Sequence, residues 1–170
     1  NIYTNQRHLG VSYAILILII YLFLKNFNKP KMLFPILPGI LVGLLPLLHK
    51  VAFGLSVVTL FYFFLIFPKL RRQVAIAILT SLLIAVPQLV FLGATAKIDF
   101  SPYYLVGGNL TIGAFINYWV YNLGLYLVFI PISFFLCNKD QRKLFFLFLI
   151  FFAIGHLFKF SPETSANHKF

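Results

Sequence analysis

Of the 170 residues in this chain, 61% are apolar, 19% aromatic and only 10% charged, and the mean hydropathy is +0.96. Soluble domains carry about 25% charged and about 45–50% apolar residues, so this composition excludes an ordinary water-soluble fold, which would leave large apolar patches in water. Fourteen Lys and Arg face only three acids, Asp99, Asp140 and Glu163, for a net charge of +11; no nucleic-acid-binding motif accompanies that charge, and it reads instead as an orientation signal between membrane spans.

At about 20 apolar residues per spanning helix, the length holds five to seven passes, and the pattern resolves into six. The chain opens on Asn1, its sole methionine is Met32 and a polar tail runs to Phe170. With no signal peptide ahead of the first apolar run, it reads as an internal piece of a larger membrane protein. The first span covers 9–24 and is closed by Lys25, Lys29 and Lys31. The apolar run over 33–68 would measure about 54 Å as one helix, against a hydrocarbon core of about 30 Å. It is therefore expected to form two spans, 33–48 and 51–67. The turn is placed at His49-Lys50, because a lysine at mid-bilayer costs at least about 2.5 kcal/mol. Each half is short, about 25 Å, so the turn is expected to lie below the membrane surface, where polar backbone needs protein or a wet cavity around it.

Lys69, Arg71 and Arg72 follow, and a fourth span covers 74–93 with Pro87-Gln88 in its later half. The connection over 94–117 contains Lys97, Asp99, Pro102, Tyr103, Tyr104, Gly107 and Gly108, turn formers mixed with interfacial aromatics. A fifth span over 118–137 is entered through Tyr118, Trp119 and Tyr121; the polar link 138–143 and a Phe-rich sixth span over 144–158 come next, and the tail is 159–170. The fold expected is all-α, a polytopic transmembrane helix bundle in a single domain.

Six spans force the connections to alternate sides. The loops at 25–32, 68–72 and 138–143 then share one side and carry nine of the fourteen basic residues; Arg7, Lys50, Lys97, Lys159 and Lys169 fall on the other. The positive-inside rule makes the crowded side cytoplasmic. Gln88, Asn122 and His156 fall in the outer halves of their spans, and Asp99, Glu163 and His168 on the outer side. Polar groups in lipid are costly and turn toward a cavity or partner, so a functional site is expected at the outer face.

No phosphate-binding glycine loop, zinc spacing or hydrolase motif is present, and no cofactor is evident. Cys137 is the single cysteine and makes no internal disulfide. His49-Lys50 suits a phosphate, with lysine as a point charge and histidine as a donor; an ordinary hairpin with snorkelling charges is the plainer alternative. Glu163, Asn167, His168 and Lys169 suit a sugar and its phosphate, or a solvated loop beyond Pro162. Asp99 suits a base, or a partner for Lys97. His156 suits a contact between helices better than catalysis.

Gly43-Leu-Leu-Pro46-Leu-Leu-His49 with Phe53, and Phe160-Ser-Pro162 with Asn167 and Lys169, together with Pro87-Gln88 and Tyr118 to Gly124, resemble segments of polytopic membrane proteins related to the GT-C type glycosyltransferases. That resemblance implies transfer of a sugar from a polyprenyl-phosphate donor at the non-cytoplasmic face, with His49, Lys50, Asn167 and Lys169 contacting the donor phosphate or sugar. It also implies a catalytic acid in an earlier outer loop, upstream of Asn1, which would hold any divalent metal. The family pattern's second histidine position falls near Val51 and its acid before Asn167 is Ala166. A non-enzymatic membrane protein, either a transporter or a structural subunit, is the alternative. Expected partners are membrane lipid and the lipid-linked donor, with no nucleic acid.

Overall fold

A computed structural model describes residues 2–26, 34–91, 99–100 and 111–159, with side chains for 10–26, 34–91 and 111–158. The chain is all-α, with seven α-helices among the described residues. It forms two compact units, Asn1–Thr95 and Ala96–Phe170.

The first unit contains α1 (Ile2–Lys25), α2 (Ile36–Leu48), α3 (Lys50–Ile66), a 3-10 turn (Pro68–Leu70) and α4 (Arg71–Phe91). On α1 the buried residues are Leu16, Ile19, Ile20 and Phe23, the i, i+3, i+4, i+7 spacing of one helix face. Phe23 packs edge-on against Phe63 of α3 at 5.7 Å, and Phe63 against Phe67 at 5.3 Å. The Lys25 end of α1 therefore lies beside the end of α3 that leads to Lys69, Arg71 and Arg72. His49 and Lys50 begin α3 at its opposite end.

The tightest seam joins α2 to α4. A Cβ on Gly39 would lie 2.7 Å from Thr80 Cβ and 2.8 Å from the Ala77 carbonyl, and one on Gly43 would lie 2.7 Å from Ile84 Cβ. Both glycines are needed for backbone-level approach, the packing mode of small residues four apart in membrane helices. Because 39 faces 77–80 and 43 faces 81–84, the two helices run parallel, and α3 between them runs the other way. Hydroxyls inside this unit bond back to their own helices: Thr59 donates to the Leu55 carbonyl at 2.8 Å and Thr80 to the Ile76 carbonyl at 2.9 Å.

In the second unit come β1 (Asp99–Phe100), α5 (Ile112–Leu123), α6 (Tyr126–Leu136), α7 (Lys139–Leu157) and β2 (Phe158–Lys159). The two-residue strands pair antiparallel, Asp99 opposite Lys159 and Phe100 opposite Phe158. This unit departs from the sequence expectation twice. Helix α5 starts inside the stretch read as a loop, because Thr111 caps it by accepting from the Ala114 amide at 3.2 Å. The fifth apolar run is also not one continuous helix: α5 and α6 are bent by 81° across the break. Gly124 sits at the break with φ +50°, a backbone that L side chains rarely adopt. At the start of α7, Asn138 accepts from the Gln141 amide at 2.9 Å while the Gln141 side chain accepts from the Asn138 amide at 3.1 Å. That reciprocal cap opens the helix at Lys139, ahead of the apolar run.

Among the described residues, one helix is long and apolar enough to cross a membrane, Pro68–Phe91, or two if the bent α5–α6 pair forms one span. Only 22% of the apolar window of Pro68–Phe91 is buried, whereas the core helix of a soluble protein is mostly enclosed.

Candidate functional site

Three helices position the polar end of the first unit. The turn between α2 and α3 is a single residue, His49, in extended backbone at φ −160° and ψ 109°. Its amide donates to the Leu45 carbonyl at 2.8 Å, ending α2. The following helix opens on the same residue, since His49 Nδ1 accepts from the Ala52 amide at 3.3 Å. A ring nitrogen that accepts carries no proton, so the neutral imidazole bears its hydrogen on Nε2. His49 therefore caps one helix and closes another, with the Tyr13 ring tilted beside it at a centroid distance of 6.4 Å.

Lys50 is the first residue of α3 and is exposed. The first unit has no Asp or Glu anywhere in its sequence, so nothing anionic within it offsets this ammonium. Gln88 belongs to the same end: continuing the parallel register of α2 and α4 from Gly43 against Ser81 and Ile84 sets Gln88 within about a turn of His49's axial level. The Gln88 Oε1 is buried and has no hydrogen-bond partner among the described residues, a cost of about 1–3 kcal/mol when nothing compensates it. His49, Lys50, Tyr13 and Gln88 thus share the end opposite Arg71 and Arg72.

The second unit holds the other described candidates, and it uses them structurally. The Trp119 indole donates to His156 Nε2 at 3.0 Å, and His156 Nδ1 lies 2.7 Å from the Phe152 carbonyl. With Nε2 accepting, the proton sits on Nδ1 and donates to that carbonyl. The ring is further enclosed by Phe152 at 4.2 Å, Trp119 at 4.9 Å and Phe115 at 5.7 Å between centroids. Both imidazole nitrogens are therefore engaged, Nε2 in holding α5 to α7 and Nδ1 in fixing the ring against its own helix. Asn122 donates to the Tyr118 carbonyl of its own helix at 2.7 Å. Asp99 is placed by its backbone opposite Lys159 in the strand pair, which joins the 94–117 connection to the start of the tail. The Asp99 side chain and the residues Glu163, Asn167, His168 and Lys169 lie outside the described residues.

Among the described residues no group of three or more His, Cys, Asp or Glu is arranged to hold a metal ion. The Gly39/Gly43 seam was absent from the sequence expectations, although the four-residue glycine spacing is visible in the sequence. No family model, curated protein or solved structure matches this chain.

Proposed function

We propose that the chain is a multi-pass membrane protein with about six spans, and that its His49-Lys50 face engages a lipid-linked sugar phosphate in the manner of the GT-C type glycosyltransferases it resembles. The carrying observation is the single-residue junction at His49. It sets an imidazole and the exposed ammonium of Lys50 side by side at one helix junction, in a unit without a carboxylate. In this reading the phosphate meets the His49-Lys50 junction, and Lys50 offsets the charge that grows on the phosphate as the sugar–phosphate bond breaks. The buried Gln88 amide oxygen accepts from a donor hydroxyl. The basic loops 25–32, 68–72 and 138–143 are cytoplasmic.

Sugar transfer from a polyprenyl-phosphate donor in proteoliposomes tests this with the full-length protein. His49→Asn preserves a helix cap while removing the imidazole, and Lys50→Ala removes the ammonium. Loss of a hydrogen bond to a charged group, worth about 1.5–3 kcal/mol, predicts rates lowered by about 10- to 150-fold for each. No transfer by the wild type, or unchanged transfer by both variants, contradicts the reading. The break at Gly124 supports a second reading, a transporter, because interrupted spans bind solutes in such proteins; solute flux without a transferred product favours it.

A further inference from the structure

An apolar groove of about 340 Å³ runs between α3 and α4, lined by Phe61, Phe64, Ala75, Ile78, Leu79 and Leu82. Its lining is open to the outside: Phe61 is 60% and Leu79 61% exposed. On α4 the positions 75, 78, 79 and 82 follow the i, i+3, i+4, i+7 stripe, and stepping back four residues along that stripe reaches Arg71. The Arg71 Nε donates to the Phe64 carbonyl at 3.1 Å, and its guanidinium lies 6.0 Å from the Phe64 ring centre. The end of the groove is thus marked by a guanidinium held in place on the groove wall, whose Nη groups remain as donors. Arg72 is exposed on the next position. No carboxylate in this unit's sequence competes for either charge.

From Arg71 to Leu82 the stripe measures about 16 Å along the helix axis. One leaflet of a hydrocarbon core about 30 Å thick offers about 15 Å. We infer that this groove is a binding site for one anionic phospholipid: an acyl chain lies along Phe61, Phe64, Ile78, Leu79 and Leu82, and the phosphate sits on Arg71 and Arg72. Charge complementarity selects this occupant. A second copy of the chain would bring its own basic cluster against this one, and a neutral lipid leaves the two guanidinium groups without a net counter-charge. The site lies at the opposite end of the first unit from His49 and does not depend on the sugar-transfer reading.

The test is native mass spectrometry of the purified full chain, delipidated and re-exposed to phosphatidylglycerol or phosphatidylcholine of equal chain length. At about 1 kcal/mol per basic residue near an anionic lipid, two arginines predict retention of phosphatidylglycerol at least about tenfold better, at one lipid per chain. Arg72→Gln should weaken this preference several-fold and the Arg71→Gln/Arg72→Gln pair should abolish it. Leu79→Trp, at an exposed position that tolerates bulk, should fill the groove and release the lipid while both arginines remain. Glycerol phosphate, which carries the headgroup chemistry without a chain, should not displace it. Equal retention of the two lipids, or retention unchanged by the arginine and Leu79 variants, overturns the proposal. So does displacement by glycerol phosphate alone, or a dimer lost in Leu79→Trp with lipid still bound.

Discussion

At the scale of single residues, the two histidines among the described side chains do different work because their rings are satisfied differently. His49 accepts on Nδ1 from the backbone amide of Ala52 and so caps its helix. His156 accepts on Nε2 from Trp119 and donates from Nδ1 to its own helix. Replacing His156 by phenylalanine takes away the acceptor that Trp119 needs and should release the indole. Trp119 is the sole tryptophan of the chain, and its fluorescence reports this directly. We expect a shift of emission in His156→Phe relative to the wild type; the same emission in both would contradict the pairing. The sequence showed that His156 suited a contact between helices, but not its partner. Trp119 lies 37 positions away, and only packing brings them together.

At the scale of elements, arginine closes helices at two of the basic connections. Arg71 donates to the Phe64 carbonyl near the end of α3. Likewise, Arg142 donates to the Cys137 and Phe135 carbonyls at 3.0 Å beyond and within the end of α6, with its guanidinium 5.7 Å from the Phe134 ring. Carbonyls at helix C-termini lack intrahelical partners, so these cations satisfy backbone groups. The α2–α4 seam makes the sharpest element-scale prediction. Gly43→Val and Gly39→Ala each insert carbon where a Cβ already meets atoms at 2.7–2.8 Å, and overpacking of this kind costs about 1–3 kcal/mol. Gly54→Ala, where nothing lies within 4 Å of the added carbon, should be neutral or stabilising by up to about 1 kcal/mol. Thermal unfolding of the three variants in detergent checks this order; equal melting temperatures would contradict the seam.

Across the whole molecule, apolar length and charge spacing made the helical class and the His49 turn legible, because both are properties of runs. The break in the fifth run was not legible, since one residue's backbone freedom at Gly124 decides it while the hydropathy on either side is continuous. The start of α5 was hidden for a similar reason: aromatics and glycine over 111–117 resemble an interfacial loop until Thr111 is seen to cap a helix. Within the candidate site, His49 and Lys50 stood out as the only basic residues within the long apolar run over 33–68. Gln88 gained weight only when the parallel packing of α2 and α4 set it near His49's level.

In the proposed topology the chain crosses the membrane repeatedly, with the His49-Lys50 turn outside and the 68–72 cluster in the cytoplasm. In the first unit, the Phe23–Phe63 contact and the Gly39/Gly43 seam set these two features at opposite ends of one helix group. The direct measurement is accessibility of single cysteines, Lys50→Cys or Arg72→Cys, to an impermeant thiol reagent in intact cells, with Cys137→Ser removing the one native thiol. We predict labelling of position 50 from outside and of position 72 only after the membrane is opened. Labelling of both from the same side would contradict the account.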